Sequence, residues 1–581
     1  MIARLVSVVC IAAALVTLGL VAAPLMPLAG RGYGTDWGFF FSYLLAGEQW
    51  GRLNGWLAPA YFTPAFCGGM PFLANPQSML WSPLQLLFAV FGPDAVPWWT
   101  LLICAAGGGA GTWLLARRRF ALSVEASALT GVLFILNGFL TFRLVAGHAS
   151  YWVFALLPWI AWLVLGVGSV RRVIVAALLL AAMVFGGALN FVVPAVLAVA
   201  ALVLLRQARD GFRWGPWISL GQACIWSAPL AAIKIVPSAV FTLQYPRDYL
   251  AMSIFTSPVL LANALVSGFF WPQNLPGTMP LGQGQFAYSI HEIEFGVSLV
   301  PLLVLLTWGM RGLIERRWPR HVLPACLLAL VLIIPLAGSV GNHAWGHVLQ
   351  QIPVINSNTT LIRWWSVYVI PLILLCAIAI DDLVPPGRWR PVVLAGASAA
   401  AIVQFAARDL TPYHLINRSP PFDAAPIAAA HARLAQGGSL PPVTALGRWP
   451  AVTEGEPITL APQSLVAGVS SVPCYEPIFG YDGKQFRARE LHPGPVSAGD
   501  GGFANLADPR CYLDPGTGSC RPGARFAADD PAIAAFVSYR AIPWSQPLWQ
   551  VAAAWSTVLS LIASAAVLAL AGVVRRGAGP V

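Results

Sequence analysis

The chain has 581 residues, of which 58% are hydrophobic and only 10% charged, and its mean hydropathy is +0.71. Soluble domains carry about 25% charged residues, so this composition excludes an ordinary soluble protein. The formal net charge of +11 would point to nucleic acid only if the basic residues shared a face. They stand instead in short clusters between apolar runs, the pattern of cytoplasmic membrane loops.

Apolar runs of about 17–25 residues mark membrane spans. The first covers Leu5 to Leu28, too long for the core of a usual signal peptide, and is read as an uncleaved span with Arg4 inside. The stretch from Thr35 to Leu87 follows. Its aromatics, prolines and glycines are too interrupted for a spanning helix and too apolar for a solvated loop. Irregular backbone survives beside a bilayer only when packed on protein or lining a cavity, which predicts a folded, half-buried loop with Asp36 at its mouth.

Further spans are expected at Val96–Ala116, Ala126–Phe142 and Trp152–Val167. The run Val173–Leu205 is too long for one span and breaks at Gly186-Gly187 and Asn190, so it divides into two. Trp217–Val236, Phe295–Met310, Val322–Ala337, Trp364–Ile380, Val392–Ala406 and Leu548–Val574 complete a set of twelve. The arginine clusters at 117–119, 171–172, 206–213, 311–320, 388–390 and 575–576 then all fall at the ends of even-numbered spans. Both termini are therefore expected in the cytoplasm.

The expected fold is an all-α polytopic membrane protein of about twelve helices with a small α/β periplasmic domain before the last helix. Residues 1–407 form the transmembrane module, with a first periplasmic loop at 30–95 and a second at 238–292. Residues 408–547 form the periplasmic domain, and 548–581 the last span and tail. Cys511 and Cys520 flank the turn LDPGTG in that domain and are a disulfide candidate, which would add about 2.5 kcal/mol on the loop-entropy model. Cys67 and Cys474 also face out, and pair or stay free.

Every candidate reactive group lies near the outer face. Asp36 is either a helix-end charge or a catalytic carboxylate. Glu48 and Arg52 have the spacing of a helical ion pair and position the loop rather than react. His148 sits in a short outer turn with Arg143 nearby. Lys234 falls in the last turn of the seventh span, where it either snorkels outward or offers a fixed cation to a lipid phosphate. His291, Glu292 and Glu294 cluster at the outer entrance of the eighth span, and with Glu48 and Arg52 are substrate-binding candidates. Arg363 stands at the outer start of the tenth span, against the positive-inside bias. No P-loop, dinucleotide fingerprint, GxSxG, HExxH or zinc spacing occurs; no cofactor is called for, and a divalent metal has no ligand motif.

Asp36 after the first span, followed by GMPFLANPQSMLWSPLQLL, resembles the YfhO-like bacterial membrane proteins and the wider GT-C superfamily of polyprenyl-phosphate-sugar-dependent glycosyltransferases. The resemblance continues through GHASYWVFALLPWIAWLV, through FFWPQN to HEIEFG, through INSNTTLIRWW, and through VSSVPCYEP and FVSYR. It implies a GT-C-like module in the bacterial cytoplasmic membrane with its active site facing the periplasm. It also implies inverting transfer from a polyprenyl-phosphate sugar to a glycan, lipid or protein acceptor, with Asp36 as general base. Arg363, Lys234 and His148 are then candidates for the donor phosphate, although the resemblance leads one to expect a neutral polar residue at the position of Lys234.

The residues fit that chemistry independently. Nucleotide sugars are absent outside the cytoplasmic membrane, so an activated sugar must arrive on a lipid phosphate. Phosphate leaves well and needs cations, while the acceptor hydroxyl needs one base. An O-antigen-type polymerase or ligase is the nearest alternative. A polysaccharide or lipid transporter would place ionisable residues at mid-membrane and show inverted repeats. A non-catalytic scaffold for envelope assembly is a further alternative, which an absence of any effect on substituting Asp36 would favour.

Overall fold

The computed structural model describes residues 2–26, 35–244, 255, 257–271, 278–280, 287–316, 321–340, 343–352, 355, 361–409, 424–448, 464–472, 491–513, 520–521 and 523–577. The protein is a largely helical, polytopic membrane protein. Among the described residues seven helices are long and apolar enough to cross a membrane: Ile2–Leu25, Pro83–Arg119, Val124–Ala146, Leu189–Asp210, Leu361–Leu383, Trp389–Ala407 and Leu548–Leu570. An eighth is the pair Gly215–Leu230 and Ala232–Leu243, taken together. The expected spans at 322–337 and near 295–310 and 152–167 form shorter apolar helices: Val322–Ala337, Leu299–Ile314 and Ala149–Val164. The sixteen α-helical residues of Val322–Ala337 and of Leu299–Ile314 reach about 24 Å, short of the ~30 Å hydrocarbon core.

The helices that matter for the site are α1 (Ile2–Ala22), α2 (Thr35–Asn54), α3 (Pro83–Arg119), α4 (Val124–Ile135) and α5 (Gly138–Ala146). They are followed by α6 (Leu157–Val164), α7 (Val170–Phe185), α8 (Val192–Asp210), α9 (Gly215–Leu230), α10 (Ala232–Gln244) and α11 (Pro258–Phe270). The run expected to break at Gly186-Gly187 does so, between α7 and α8. At the centre lies α4, packed by α1 and α3. Ser123 caps α4 by accepting from Ala126 N at 3.1 Å, and Asn137 caps α5 by accepting from Leu140 N at 2.9 Å. Each cap answers an orphan amide, so α4 and α5 run as two helices with a polar joint at Asn137.

Two expectations need correction. The stretch after the first span is not irregular throughout: its first twenty residues form α2. Every residue from Phe40 to Gly51 is buried, so no polar face exists to produce a 3.6-residue pattern. Its glycines permit close packing, since a Cβ on Gly51 would press on the Trp56 ring at 2.7 Å. The second correction is the seventh span, which bends by 80° at Ala231. Thr557 repairs the break, accepting from Ile233 N at 3.0 Å and donating to Pro229 O at 3.1 Å. Backbone groups freed inside a membrane protein require such partners.

Beyond 423 the described residues form a small α/β unit. The strand Ala445–Arg448 pairs in parallel with Val469–Val472 and antiparallel with Gly494–Pro495, and Phe503–Ala507 pairs antiparallel with Arg525–Ala527. Cys511 and Cys520 form a disulfide with Cα atoms 5.1 Å apart. Cys67 is not among the free cysteines; Cys474 lies outside the described residues, as does 410–423, beside the expected boundary at 408.

This unit docks on α2. Glu48, fully buried, pairs with Arg52 one turn on at 2.8 Å and with His431 Nδ1 of the helix Ala425–Ala435 at 2.8 Å. Gln49 accepts from Leu440 N at 3.0 Å, and Asn54 donates to Tyr539 O at 2.8 Å. Glu48→Ala removes the acceptor shared by His431 and Arg52, and leaving a buried hydrogen-bonding group without its partner costs about 1–3 kcal/mol. The expected outcome is faster proteolysis within 424–547 while the membrane helices stay intact; an unchanged cleavage rate would show that Glu48 does not hold the unit.

Candidate active site

Asp36 lies in the first turn of α2, and Trp37 beside it donates its indole N–H to Leu144 O at 2.7 Å, fully buried. That bond ties the start of α2 to the end of α5. There α5 stops at Gly147, whose φ of +98° is left-handed, and the chain turns back so that His148 meets Asp36. His148 Nε2 stands 2.7 Å from Asp36 Oδ2. A Cβ on Gly147 would strike Trp37 N and stand 2.7 Å from Asp36 C. Gly147→Ala therefore meets both a positive φ and a clash, and an unfolding midpoint several degrees lower is expected by thermal shift in detergent. A midpoint equal to the parent would mean that α2 can move off α5 freely.

Arg143 continues the chain. Its Nη1 lies 3.0 Å from His148 Nδ1 and 2.8 Å from Glu292 Oε2, and its Nη2 donates to Glu292 O at 3.1 Å. Arg363 completes it by gripping both oxygens of Glu292, with Nε to Oε2 at 2.9 Å and Nη2 to Oε1. Asp36, His148, Arg143, Glu292 and Arg363 are thus joined end to end. Rings of Phe139 and Tyr151 lie against the Arg143 guanidinium, at 5.3 and 5.0 Å.

Glu292 is delivered by a strap that crosses the start of α5. Gly138 N donates to Phe295 O and Gly296 O at 3.1 Å, while Phe295 N donates back to Gly268 O of α11 at 2.8 Å. Phe295 stacks between Phe139 at 5.5 Å and Phe269 at 4.8 Å. Backbone bonds and offset aromatic stacking together fix where the Glu292 carboxylate stands.

The contacts also assign the proton on His148. A guanidinium only donates, so Nδ1 accepts from Arg143, and Nε2 carries the proton that it donates to Asp36. Both ring nitrogens of His148 are thus engaged, one by Arg143 and one by Asp36. Burial alone would raise the Glu292 carboxyl, but the charges of Arg143 and Arg363 outweigh it and hold Glu292 well below the usual carboxylate range. Exposure picks out the working ends: the Arg143 side chain is 0% exposed, Glu292 9%, His148 10%, Arg363 22% and Asp36 40%. A buried relay of fixed charge therefore presents a carboxylate at one end and a guanidinium at the other.

The remaining candidates stand elsewhere. Glu294 is fully buried beside Gly138, where a Cβ would lie 3.1 Å from its Oε1. The His291 side chain lies outside the described residues. Glu48 and Arg52 serve the docking of the 424–547 unit. Lys234, expected to point toward the headgroups, is carried inward by the bend at Ala231; it is buried and donates to the Ser78 carbonyl and hydroxyl. In the sequence Arg143 stands out only as a neighbour of His148. The signal available for it was a guanidinium close to the end of an otherwise uncharged apolar run, which is costly unless paired. Among the described residues no three His, Cys, Asp or Glu side chains gather as a metal site.

No family model matches this chain, and no curated protein does. Similar solved structures include two of archaeal oligosaccharyltransferase and one of ArnT. The apo oligosaccharyltransferase of Archaeoglobus fulgidus is 16% identical over 70% of this chain and 56% of its own, with a TM-score of 0.36. ArnT from Cupriavidus metallidurans, bound to undecaprenyl phosphate, is 12% identical over 81% of this chain and 86% of its own, with a TM-score of 0.39. The archaeal oligosaccharyltransferase AglB in complex with an inhibitory peptide and a dolichol-phosphate is 13% identical over 68% of this chain, with a TM-score of 0.32. The chain spans 56% of the length of that oligosaccharyltransferase.

Proposed function

We propose that this protein is a membrane glycosyltransferase that moves a sugar from a polyprenyl-phosphate donor to a hydroxyl of an envelope glycan, lipid or protein. The reading places the reaction on the periplasmic side of the bacterial cytoplasmic membrane. The observation that carries it is the relay from Asp36 to Arg363. Its accessible carboxylate suits a substrate that must lose a proton, and its accessible guanidinium suits one that leaves as a phosphate.

In this mechanism Asp36 accepts the proton of the acceptor hydroxyl as its oxygen attacks the anomeric carbon. The bond from that carbon to the phosphate oxygen breaks, and polyprenyl phosphate departs with the electron pair. Attack from the face opposite the phosphate inverts the anomeric configuration. His148, locked between Arg143 and Asp36, acts as a positioning residue for the base. Fixed dipoles and charges of this kind need no rearrangement as the reaction proceeds.

The test is reconstitution in liposomes with a polyprenyl-phosphate-linked sugar, following release of polyprenyl phosphate and the configuration of the product. Release that requires Asp36 supports the reading; no consumption of any such donor, across hexose, pentose and amino-sugar forms, overturns it. Arg363→Gln is expected to weaken polyprenyl-phosphate binding by about tenfold, the worth of one charge-assisted hydrogen bond. Equal affinity in the folded variant would remove Arg363 from the donor site.

A further inference from the structure

Five arginines from three helix ends meet at one end of the bundle. Arg117 and Arg119 close α3, Arg172 opens α7, and Arg206 and Arg209 close α8. Arg117 Nη1 donates to Leu122 O at 2.6 Å, Arg119 Nε to Trp162 O at 2.9 Å, and Arg209 Nη1 to Phe120 O at 3.1 Å. Arg206 donates to the carbonyl of Arg119 itself, and Arg172 to that of Gly166. Arg119 and Arg172 converge on one point, because a Cβ on Gly166 would meet both guanidiniums, with Arg172 Nη1 at 2.7 Å.

Among the described residues the carboxylate salt-bridged to these five is Asp210, on Arg206 at 2.9 Å. The carbonyls at the helix ends take up the N–H donors, yet a helix C-terminus supplies only about half an elementary charge. Arginine enrichment in cytoplasmic loops sets orientation, but it does not require guanidiniums packed against one another. Like charges this close repel more strongly as water is excluded, and Arg119, Arg172 and Arg206 are each partly buried.

We propose that this cluster binds the phosphate of an anionic phospholipid in the leaflet on the arginine-rich side. A guanidinium fork matches phosphate oxygens in a bidentate fashion. The surroundings favour a lipid over a free ion. The Trp162 ring lies 5.1 Å from the Arg119 guanidinium, with Trp159 at 6.3 Å beyond it, and indoles prefer the headgroup level. Val167 and Val170 beside Gly166 are exposed apolar side chains, 49% and 67% accessible, and give acyl chains a surface that inorganic phosphate would leave uncovered.

The experiment compares the full-length protein in nanodiscs of phosphatidylcholine alone and with phosphatidylglycerol or cardiolipin added, reading retained lipid by native mass spectrometry. The parent should retain anionic lipid selectively, and Arg119→Gln with Arg172→Gln together should weaken that retention by roughly thirtyfold, two basic contacts' worth. Arg213→Gln, which removes the same kind of charge outside the linked set, should retain it. Should the double variant misfold, Arg172→Gln alone is expected to lose several-fold. Retention unchanged in the folded variants, or lost equally in Arg213→Gln, overturns the site. Displacement of the lipid by millimolar inorganic phosphate overturns the lipid assignment.

Discussion

Asp36→Asn is expected to lower sugar transfer by at least about a hundredfold, the low end of what a general base contributes. The substitution isolates proton transfer. An asparagine carbonyl oxygen can still accept from His148 Nε2, so the 2.7 Å contact, the Trp37 bond to Leu144 and the start of α2 should all persist. An amide cannot take the acceptor's proton, however. Donor affinity and unfolding midpoint should therefore stay near parental values while turnover falls. His148→Gln should lose less, because the carboxylate remains and only its orientation is relaxed. A turnover in Asp36→Asn close to the parental rate would make Asp36 an interfacial charge and move the base to another carboxylate.

Glu292→Gln should be the most destabilising single change at the site. Arg143 is fully buried and Glu292 is its charge partner, at 2.8 Å; Arg363 leans on the same carboxylate. Removing one partner of such a pair leaves an uncompensated buried charge, at a cost of about 3–5 kcal/mol. Arg143→Met combined with Glu292→Met removes both charges and should recover much of that loss, since apolar replacements of whole buried pairs are often neutral. The pH dependence has a definite sign. Because the folded-state pKa of Glu292 is depressed, its contribution is fully present above the unfolded carboxyl value of about 4.3 and disappears as pH falls through the folded value. Parental stability in detergent should thus show no loss from Glu292 between neutrality and about pH 5, with the Glu292→Gln penalty shrinking only in stronger acid. A penalty that shrinks already near neutral pH would mean that Arg143 and Arg363 do not hold the carboxylate ionised.

How much of this was legible before folding depends on the range over which each property is decided. Long apolar runs and the break at Gly186-Gly187 are local, so hydropathy and turn chemistry recover the helices, although seven or eight of the twelve expected spans, among the described residues, have spanning length. The residue types needed for acid–base and phosphate chemistry were also visible, because a lone carboxylate or guanidinium stands out in a chain that is 10% charged. The helical state of α2 was not, since a helix buried on all sides carries no periodic signal. The same holds for Lys234, whose inward course follows from a bend that Thr557, on the last helix, completes. Which charges meet was likewise beyond local reading. Glu292 reaches Arg143 across 149 positions and Arg363 across 71, and only the packing of the 292–296 strap on α5 and α11 brings them together. Sequence by itself determined a polytopic membrane protein and its chemically able residues. The tertiary structure decided their partners, because a pairing in a water-poor interior exists only where distant helices hold both groups within hydrogen-bond reach.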